Sequence, residues 1–196
     1  MSSRASVSPR VRLSSVIYTI GHSTRDLATF IELLAFHGVT QVVDVRRYPA
    51  SRRHPQFARD ALAASLGAAG IAYHHESDLG GRRGARPDSV HTGWRSASFR
   101  GYADHMTTPE FQRALARLRE IAAARPTAIM CAESVPWRCH RQLIADALIA
   151  RGESVGHILD LKRVDSHRLS PHARILADGS LQYPGGPSDQ LSLVSG

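Results

Sequence analysis

The sequence predicts one α/β domain, a mostly parallel five-stranded sheet with helices on both faces, as in Rossmann-like folds. Two observations predict it. Five short apolar runs alternate with four segments of helical periodicity. In addition, 196 residues with 42% hydrophobic and 21% charged residues suit a single globular domain. We assign this domain to residues 16–184 and expect 1–15 and 185–196 to be disordered tails.

The five strands are short apolar runs rich in β-branched residues, the pattern typical of buried strands. They are predicted at 16–20, 39–45, 71–75, 127–131 and 155–159. Gly21 follows the first run directly, and Pro126 separates the fourth run from the helix before it. Because buried parallel strands are covered on both faces, we expect helices on both sides of the sheet.

Four segments carry apolar residues three or four positions apart, the period of an amphipathic helix. They are predicted between Ser23 and Gly38, over 57–69, between Thr108 and Pro126, and over 139–151. Ser23 and Asp26 have the spacing of a capping box, which favours Ser23 as a helix cap over a nucleophile. Pro109 suits the first turn of the third helix.

Two segments fall outside this alternation. Residues 77–101 form a long Gly/Arg-rich insertion, and loops of that length are usually functional or mobile. Residues 174–176 and 180–183 flank an Asp-Gly pair and predict a small C-terminal hairpin. Both segments are additions to the α/β core.

The chain is strongly basic, with 25 Lys+Arg against 17 Asp+Glu and a formal net charge of +8. Nearly all of the basic residues are arginines. They form two local clusters, Arg46, Arg47, Arg52 and Arg53, and Arg82, Arg83 and Arg86. Arginine forks match phosphate geometry, so the clusters favour a small anionic ligand over a merely solvated basic surface. Nucleic acid stays an alternative partner, although neither cluster carries a recognised nucleic-acid motif.

The chain has two cysteines, no apolar leader and no apolar run near the roughly 20 residues that a membrane helix needs. A disulfide framework, a secretion signal and a membrane partner are therefore not expected. We expect a cytoplasmic protein with reduced thiols. No oligomeric state is predicted.

Polar and reactive residues stand where three of the predicted strands end. Gly21-His22-Ser23 follows the first strand, Asp44-Val45-Arg46 closes the second, and Cys131-Ala132-Glu133 closes the fourth. In open α/β sheets, ligands bind beyond the carboxyl ends of the strands. We therefore predict that these segments and the Gly80-Gly81-Arg82 loop converge on one pocket.

The loop after the fourth strand concentrates the reactive groups. It leads to Cys139-His140-Arg141 at a predicted helix N-terminus, where free amides and the helix dipole favour an anion and lower the pKa of a nearby thiol. Arg138 or Arg141 would clamp the anion. The alternative is that Cys131 and Cys139 are small packed hydrophobes without chemistry.

Familiar sequence signatures are absent. The six residues between Cys131 and Arg138 are too many for a cysteine phosphatase loop, and no dinucleotide-binding, Walker or paired Cys-x-x-Cys pattern occurs. No metal or cofactor is assigned. A nonstandard zinc or iron site built from Cys131, Cys139, His140 and His22 stays an alternative.

An ordered set of motifs resembles the domain of unknown function 488 family. The motifs are Ile20-Gly21-His22-Ser23, Asp44-Val45-Arg46 with Pro49 and Ser51, Tyr73 with Leu79-Gly80-Gly81-Arg82, and Cys131-Ala132-Glu133 with Cys139-His140-Arg141. The resemblance spans about 16–159. It implies a small bacterial or archaeal cytosolic α/β protein in which these motifs form the characteristic cluster, and it implies no particular substrate.

The predicted roles follow from side-chain chemistry. Catalytic roles are assigned to Glu133, Cys131, Asp44, His22 and His140. Substrate-binding roles are assigned to Ser23, Arg46, Gly80, Gly81, Arg82, Cys139 and Arg141. Glu133 or Asp44 is the general acid–base with a histidine partner, and Cys131 is the alternative nucleophile. For Asp44, satisfying loop amides is an equally open interpretation.

These assignments favour an enzyme that acts on a small anionic, phosphate-bearing or nucleotide-like substrate at the carboxyl edge of the sheet. Two alternatives from other classes stay open. One is a non-catalytic nucleic-acid-binding module that uses the arginine clusters. The other is a redox or metal-binding protein that uses Cys131 and Cys139.

Overall fold

The computed structural model describes residues 16–50 and 52–186 and shows an α/β fold around a six-stranded sheet. The strands of this sheet are β1 (Ile17–Gly21), β2 (Gln41–Asp44), β3 (Ala72–His75), β4 (Thr127–Cys131), β5 (Val155–Ile158) and β6 (Val164–Ser166). Their order is β3-β2-β4-β1-β5-β6, with β6 antiparallel to β5 and the other pairs parallel. The predicted tails lie outside the described residues, apart from 185–186.

Helices cover both faces of the sheet. They are α1 (Leu27–Phe36), α2 (Arg59–Ala68), α3 (Ala97–Met106), α4 (Pro109–Ala124) and α5 (Arg141–Ile149). Phe30 of α1 and Leu62 of α2 belong to the apolar cluster on one face, whereas Leu115 of α4 and Leu148 of α5 belong to the cluster on the other. The chain runs from β1 to β3 toward one edge and then returns through β4 to β5. The crossovers between parallel strands are right-handed. The helices that connect β1 to β2 and β2 to β3 therefore lie on one face of the sheet, and those that lead to β4 and β5 lie on the other.

The central strands are buried throughout. All residues of β2, β4 and β5 are buried, and β1 is buried apart from Tyr18. Parallel strands covered on both faces appear in a sequence as continuous apolar runs. The apolar runs of this sequence therefore predicted the positions of the central strands. Within the described ranges, no helix combines the length and apolar composition needed to cross a membrane.

The structure departs from the sequence prediction in strand and helix count. The sheet has six strands instead of five, because β6 is a short strand with exposed positions and carries no apolar run. The 77–101 insertion is not a continuous loop, since α3 begins inside it. Gly101 of α3 packs directly against the backbone at 83–85, so the helix carries a glycine where the pattern predicts a break.

Two helix starts also differ from their predictions. Asp26, not Ser23, is the N-cap of α1, and its carboxylate accepts a hydrogen bond from the Thr29 amide at 2.7 Å. Ser23 instead has a left-handed backbone with φ 48°, which turns the chain out of β1. α5 begins at Arg141, so Cys139 lies just before the helix in extended backbone.

The C-terminal part folds back onto α5. It contains an antiparallel pair, β7 (Arg174–Ile175) and β8 (Leu181–Gln182), within the segments of the predicted hairpin. Asp146 of α5 is fully buried and accepts hydrogen bonds from Ser170 Oγ at 2.6 Å and Tyr183 Oη at 3.0 Å. The buried Asp146 carboxylate therefore links the C-terminal part of the chain to α5 by hydrogen bonds.

A chain of hydrogen bonds runs from Arg141 to the same carboxylate. Arg141 Nη1 donates to Thr19 Oγ1 at 3.2 Å, and Thr19 Oγ1 lies 2.7 Å from His157 Nδ1. His157 Nε2 lies 2.9 Å from His167 Nδ1, and His167 Nε2 lies 2.8 Å from Asp146 Oδ1. A guanidinium only donates and a carboxylate only accepts, so every link points from Arg141 toward Asp146. His157 is neutral in this hydrogen-bonded network, because burial lowers its pKa to about 4.

Replacing Asp146 tests how much this network stabilises the fold. We expect Asp146→Asn to lower the free energy of unfolding by about 2–4 kcal/mol, because buried donors lose a charged acceptor. Urea-induced unfolding followed by circular dichroism measures the change. The exposed Asp88 pairs with Arg86, and Asp88→Asn should leave the urea midpoint nearly unchanged, because exposed ion pairs stabilise a fold little. Equal losses in the two variants would contradict the stabilising role of Asp146.

Candidate active site

The carboxyl ends of three neighbouring strands, β2, β4 and β1, meet at one edge of the sheet. The register sets Gly21 level with Cys131 and Asp44 level with Met130. The Val45 amide continues the ladder with a hydrogen bond to Met130 O at 3.0 Å. A cavity of about 840 Å³ opens at this edge. That volume is within the roughly 300–1,000 Å³ typical of small-molecule sites.

Asp44 is fully buried behind the cavity and holds Arg46. Its carboxylate accepts hydrogen bonds from Arg46 Nη2 at 2.6 Å, Arg46 Nε at 2.9 Å and Tyr73 Oη at 2.7 Å. Arg46 lines the cavity and Asp44 does not. The structure therefore places Asp44 as a positioning group for Arg46, away from where an acid–base group would meet substrate.

His22 is a neutral imidazole in the cavity wall. Its Nδ1 lies 3.0 Å from the Ser23 carbonyl, which can only accept, so Nδ1 carries the proton. The unprotonated Nε2 faces Arg46 Nη1 at 3.5 Å, and the ring stacks on Phe57 with centroids 4.3 Å apart. Burial, reinforced by the charge of Arg46, lowers the pKa of His22 to about 4. At neutral pH the ring is thus a hydrogen-bond acceptor.

Cys131 and Cys139 lie together in the cavity wall beside His140. Cys139 Sγ is 3.6 Å from His140 Nδ1, and His140 Nε2 donates to Val45 O at 3.0 Å. The carbonyl fixes the imidazole proton on Nε2, which leaves Nδ1 to accept the thiol proton.

The two cysteines differ in their readiness to ionise. A hydrogen bond from Cys131, together with the neighbouring His140 and Arg141, holds the pKa of Cys139 well below its ordinary value. The same hydrogen bond, in which Cys131 is the donor, and burial raise the pKa of Cys131 well above its ordinary value. The pair is therefore asymmetric, with Cys139 the more readily ionised of the two thiols.

The same side chains have the geometry of a metal site. One ligand atom from each of Cys131, Cys139 and His140 lies within 4.8 Å of the other two. Thiolates and imidazole are ligands that zinc prefers, and a ligating histidine usually donates its second ring N–H to a carbonyl, as His140 does. Among the described residues His22 is not part of this group, so the four-ligand set that the sequence left open is reduced to three.

Arg141 supports the loop that carries Glu133 and does not line the cavity. Its side chain is 1% exposed, and its Nη2 donates to Glu133 O at 2.5 Å. Gly21 lies beneath this loop, and a Cβ there would overlap the Glu133 carbonyl. Arg141 therefore holds this loop in place from behind the cavity.

The cavity is strongly basic. Six of the described arginines line it: Arg46, Arg47, Arg52, Arg53, Arg82 and Arg138. Among the described lining residues, Glu133 is the one carboxylate. It is exposed, and it accepts a hydrogen bond from the Ser134 amide at 3.1 Å. Six cationic side chains against one acid favour an anionic ligand.

A close-packed loop forms the wall on the β2 side. A Cβ at Gly81 would lie 2.8 Å from His140 Nδ1, and one at Gly80 would lie 2.6 Å from Arg47 Cα. Arg82 has a left-handed backbone with φ 58°, and its carbonyl accepts from Arg47 Nη1 at 3.1 Å. Gly81 and Arg82 line the cavity, whereas Gly80 packs against Arg47 behind the cavity wall.

A protein-family model matches the part of the chain that carries most of this site. It describes the domain of unknown function DUF488 and covers residues 26–148. The chain belongs to the DUF488 family. The matched part of this DUF488 protein includes both cysteines and begins after Gly21-His22-Ser23. No curated protein and no solved structure matches the chain significantly.

Most residues that the sequence singled out in the DUF488 protein share the cavity. Those that line it are His22, Ser23, Arg46, Gly81, Arg82, Cys131, Glu133, Cys139 and His140. Asp44, Gly80 and Arg141 lie behind its surface. The sequence missed α3, which adds Phe99 and Tyr102 to the wall. Phe99, Tyr102, Ala103 and Met106 fall at helical spacing, but Gly101 lies among them and was taken as part of the glycine-rich insertion.

The His22 ring should titrate far below its ordinary pKa of 6.5, near pH 4. Proton NMR of the histidine rings measures this, and the His22→Gln variant assigns the signal by its disappearance. Burial beside Arg46 is the cause, so the signal should not move between about pH 8 and pH 6. A midpoint near 6.5 would mean that the ring is solvated and not part of a buried wall.

The same shift makes the protein less stable in acid. The unfolded chain takes up a proton near pH 6.5 and the folded one only near 4, so this contribution to stability is complete above pH 6.5. As the pH falls from 6.5 to about 4, the protein loses this contribution of His22 to the free energy of unfolding. The loss is at most about 1.4 kcal/mol per pH unit for one imidazole ring. The loss should be shallower in His22→Gln, measured by urea unfolding at several pH values.

Proposed function

We propose that this DUF488 protein is an enzyme in which the Cys139 thiolate attacks a small anionic, phosphate-bearing or nucleotide-like substrate. The observation that carries the proposal is the 3.6 Å contact of Cys139 Sγ with His140 Nδ1 inside an arginine-lined cavity. An imidazole whose other nitrogen is fixed by an acceptor is the usual activator of a cysteine nucleophile.

Cys139 is a better nucleophile than Cys131, which the sequence alone favoured. Cys139 contacts the acceptor nitrogen of His140, whereas the neighbouring Cys139 and burial raise the pKa of Cys131 and favour its neutral form. Only the thiolate form of a cysteine is strongly nucleophilic. Cys131 in this scheme stabilises the thiolate without attacking substrate.

The arginines supply affinity for the substrate. The Asp44 carboxylate holds the Arg46 guanidinium in one orientation, so little side-chain entropy is lost when Arg46 binds an anion. Arg82 and Arg138 are exposed at the rim and can approach a phosphate from other sides. A volume of about 840 Å³ leaves room for a substrate larger than a phosphate ion.

Proton transfer is assigned to His140 and Glu133. His140 Nδ1 takes the proton of Cys139, while the bond from Nε2 to Val45 O keeps the ring in place. As the Cys139 sulfur bonds to the phosphorus of the substrate, the bond from phosphorus to the leaving oxygen breaks, and that oxygen takes the proton from His140. Glu133 is the acid at the cavity surface, where its exposed carboxylate can exchange a proton with water. The unprotonated His22 Nε2 is an acceptor for a hydroxyl group of the substrate.

Inorganic pyrophosphate is a suitable probe for the substrate class. We expect isothermal titration calorimetry to detect its binding, and we expect Arg82→Gln/Arg138→Gln to weaken it at least about tenfold, because two charged hydrogen bonds are lost. The control, Arg59→Gln/Arg163→Gln, removes the same charge at two exposed positions outside the cavity lining. It should change the affinity less than about twofold, because such distant charges are screened.

Two results would reject the proposed substrate class. One is a native protein that binds no pyrophosphate at low salt. The other is an equal loss of affinity in the two double variants, which would show that binding follows net charge and not the cavity.

A further inference from the structure

We infer that Cys131 and Cys139 form a redox pair, in which Cys139 reduces a hydroperoxide and Cys131 then resolves the oxidised sulfur as an intramolecular disulfide. The inference rests on the proposed function in one respect, because it uses the same nucleophile. It assigns a separate reaction, and it gives Cys131 a role of its own as the resolving thiol.

The two sulfurs are neighbours although they come from different elements. Cys131 ends β4, Cys139 precedes α5, and the loop over 132–138 returns the chain between them. Both Sγ atoms belong to a cluster whose ligand atoms lie within 4.8 Å of one another. Disulfide formation then requires the two sulfurs to close from this separation to the S–S bonding distance of about 2.05 Å.

The pair has the asymmetry that peroxide reduction requires. His140 is the hydrogen-bond partner of Cys139 and not of Cys131. Cys139 is therefore the attacking thiolate, and Cys131 keeps its proton. A thiolate with a nearby resolving cysteine is the arrangement found in redox-active sites. Two equally buried thiols without a base would lack this division of roles.

The first step oxidises Cys139. Its thiolate attacks the outer oxygen of a hydroperoxide, the O–O bond breaks, and the leaving oxygen departs as an alcohol or water with the proton that His140 has taken. Cys139 becomes a sulfenic acid, and the hydroperoxide is reduced by two electrons. The arginines of the cavity, Arg46 foremost, stabilise the negative charge on the leaving oxygen.

The second step forms the disulfide. The Cys131 sulfur attacks the Cys139 sulfur, the S–O bond breaks, and hydroxide leaves with the Cys131 proton as water. In sum, one hydroperoxide and two thiols give one alcohol, one water and one disulfide. Both sulfurs line the cavity, so the oxidant enters by the same opening as the proposed substrate.

The disulfide has a consequence for the proposed activity. It consumes the Cys139 thiolate, so attack on an anionic substrate stops while the protein is oxidised. A dithiol reductant restores both thiols by exchange. The cavity would then carry out substrate chemistry only in its reduced state.

The test uses the full-length reduced protein and hydrogen peroxide. About one equivalent should remove both free thiols and lower the intact mass by about 2 Da, the loss of two hydrogens, reversibly with dithiothreitol. Trypsin cuts after Arg138, between the two cysteines, so the disulfide appears as two cross-linked peptides. This measurement needs no variant and stands even if a cysteine substitution disturbs folding.

Variants assign the order of the two steps. Cys131→Ser, and Cys131→Ala as a second replacement, should stop at a Cys139 sulfenic acid that dimedone traps. Cys139→Ser should consume peroxide at least about 100-fold more slowly than the native protein, because the remaining thiol is protonated. Trapping at Cys131 in place of Cys139 would overturn the assignment.

Two further outcomes would overturn the redox pair. One is overoxidation of Cys139 while Cys131 remains open to alkylation. The other is a reduced protein that retains one equivalent of zinc and keeps both thiols unreactive, since both sulfurs would then be metal ligands.

Pyrophosphate titration of the same reduced sample separates this inference from the proposed function. A disulfide without pyrophosphate binding supports the redox pair and rejects the substrate class. Pyrophosphate binding without a disulfide supports the substrate class and rejects the redox pair.

Discussion

Three parallel strands, β2, β4 and β1, end level with one another, and that register brings His22, Cys131 and Arg46 to one end of the sheet. Gly21 pairs with Cys131, so the segments that follow β1 and β4 leave the sheet side by side. The carbonyl of Val45, one residue beyond β2, accepts from His140 and thereby orients the imidazole beside the thiols. A slip of β4 by one residue would turn the Cys131 side chain to the other face of the sheet.

Burial divides the charged groups of this edge into two layers. In the inner layer, Asp44 holds Arg46, and Arg141 holds the loop at Glu133 by a hydrogen bond to its carbonyl. These bonds fix geometry because a buried charge with its partners in place cannot reorient cheaply. The outer layer is a rim of arginines, and its excess of positive charge favours both an anionic ligand and the thiolate form of Cys139.

Local patterns predicted the strands and their convergence, because Gly21, Asp44 and Cys131 end continuous apolar runs. The family was also recognisable from the order of the motifs, and the family model confirms it. The partners of individual side chains could not be predicted. Asp44 turns inward because β3 brings Tyr73 beside β2, and that neighbour is known only from the tertiary fold. The sixth strand was missed because it carries no apolar run, and α3 was missed because Gly101 interrupts its apolar spacing.

The ratio of the alkylation rates of Cys139 by iodoacetate and by iodoacetamide tests the central claim most directly. The reagents react with thiolates by the same displacement of iodide and differ in charge, so the ratio reports the field of the cavity. Compared with the chain unfolded in urea, we predict that the native protein favours iodoacetate at least about tenfold at low salt, and less as salt is added. A ratio equal to that of the unfolded chain, or a Cys139 that is not alkylated at neutral pH, would contradict an anion-binding thiolate site.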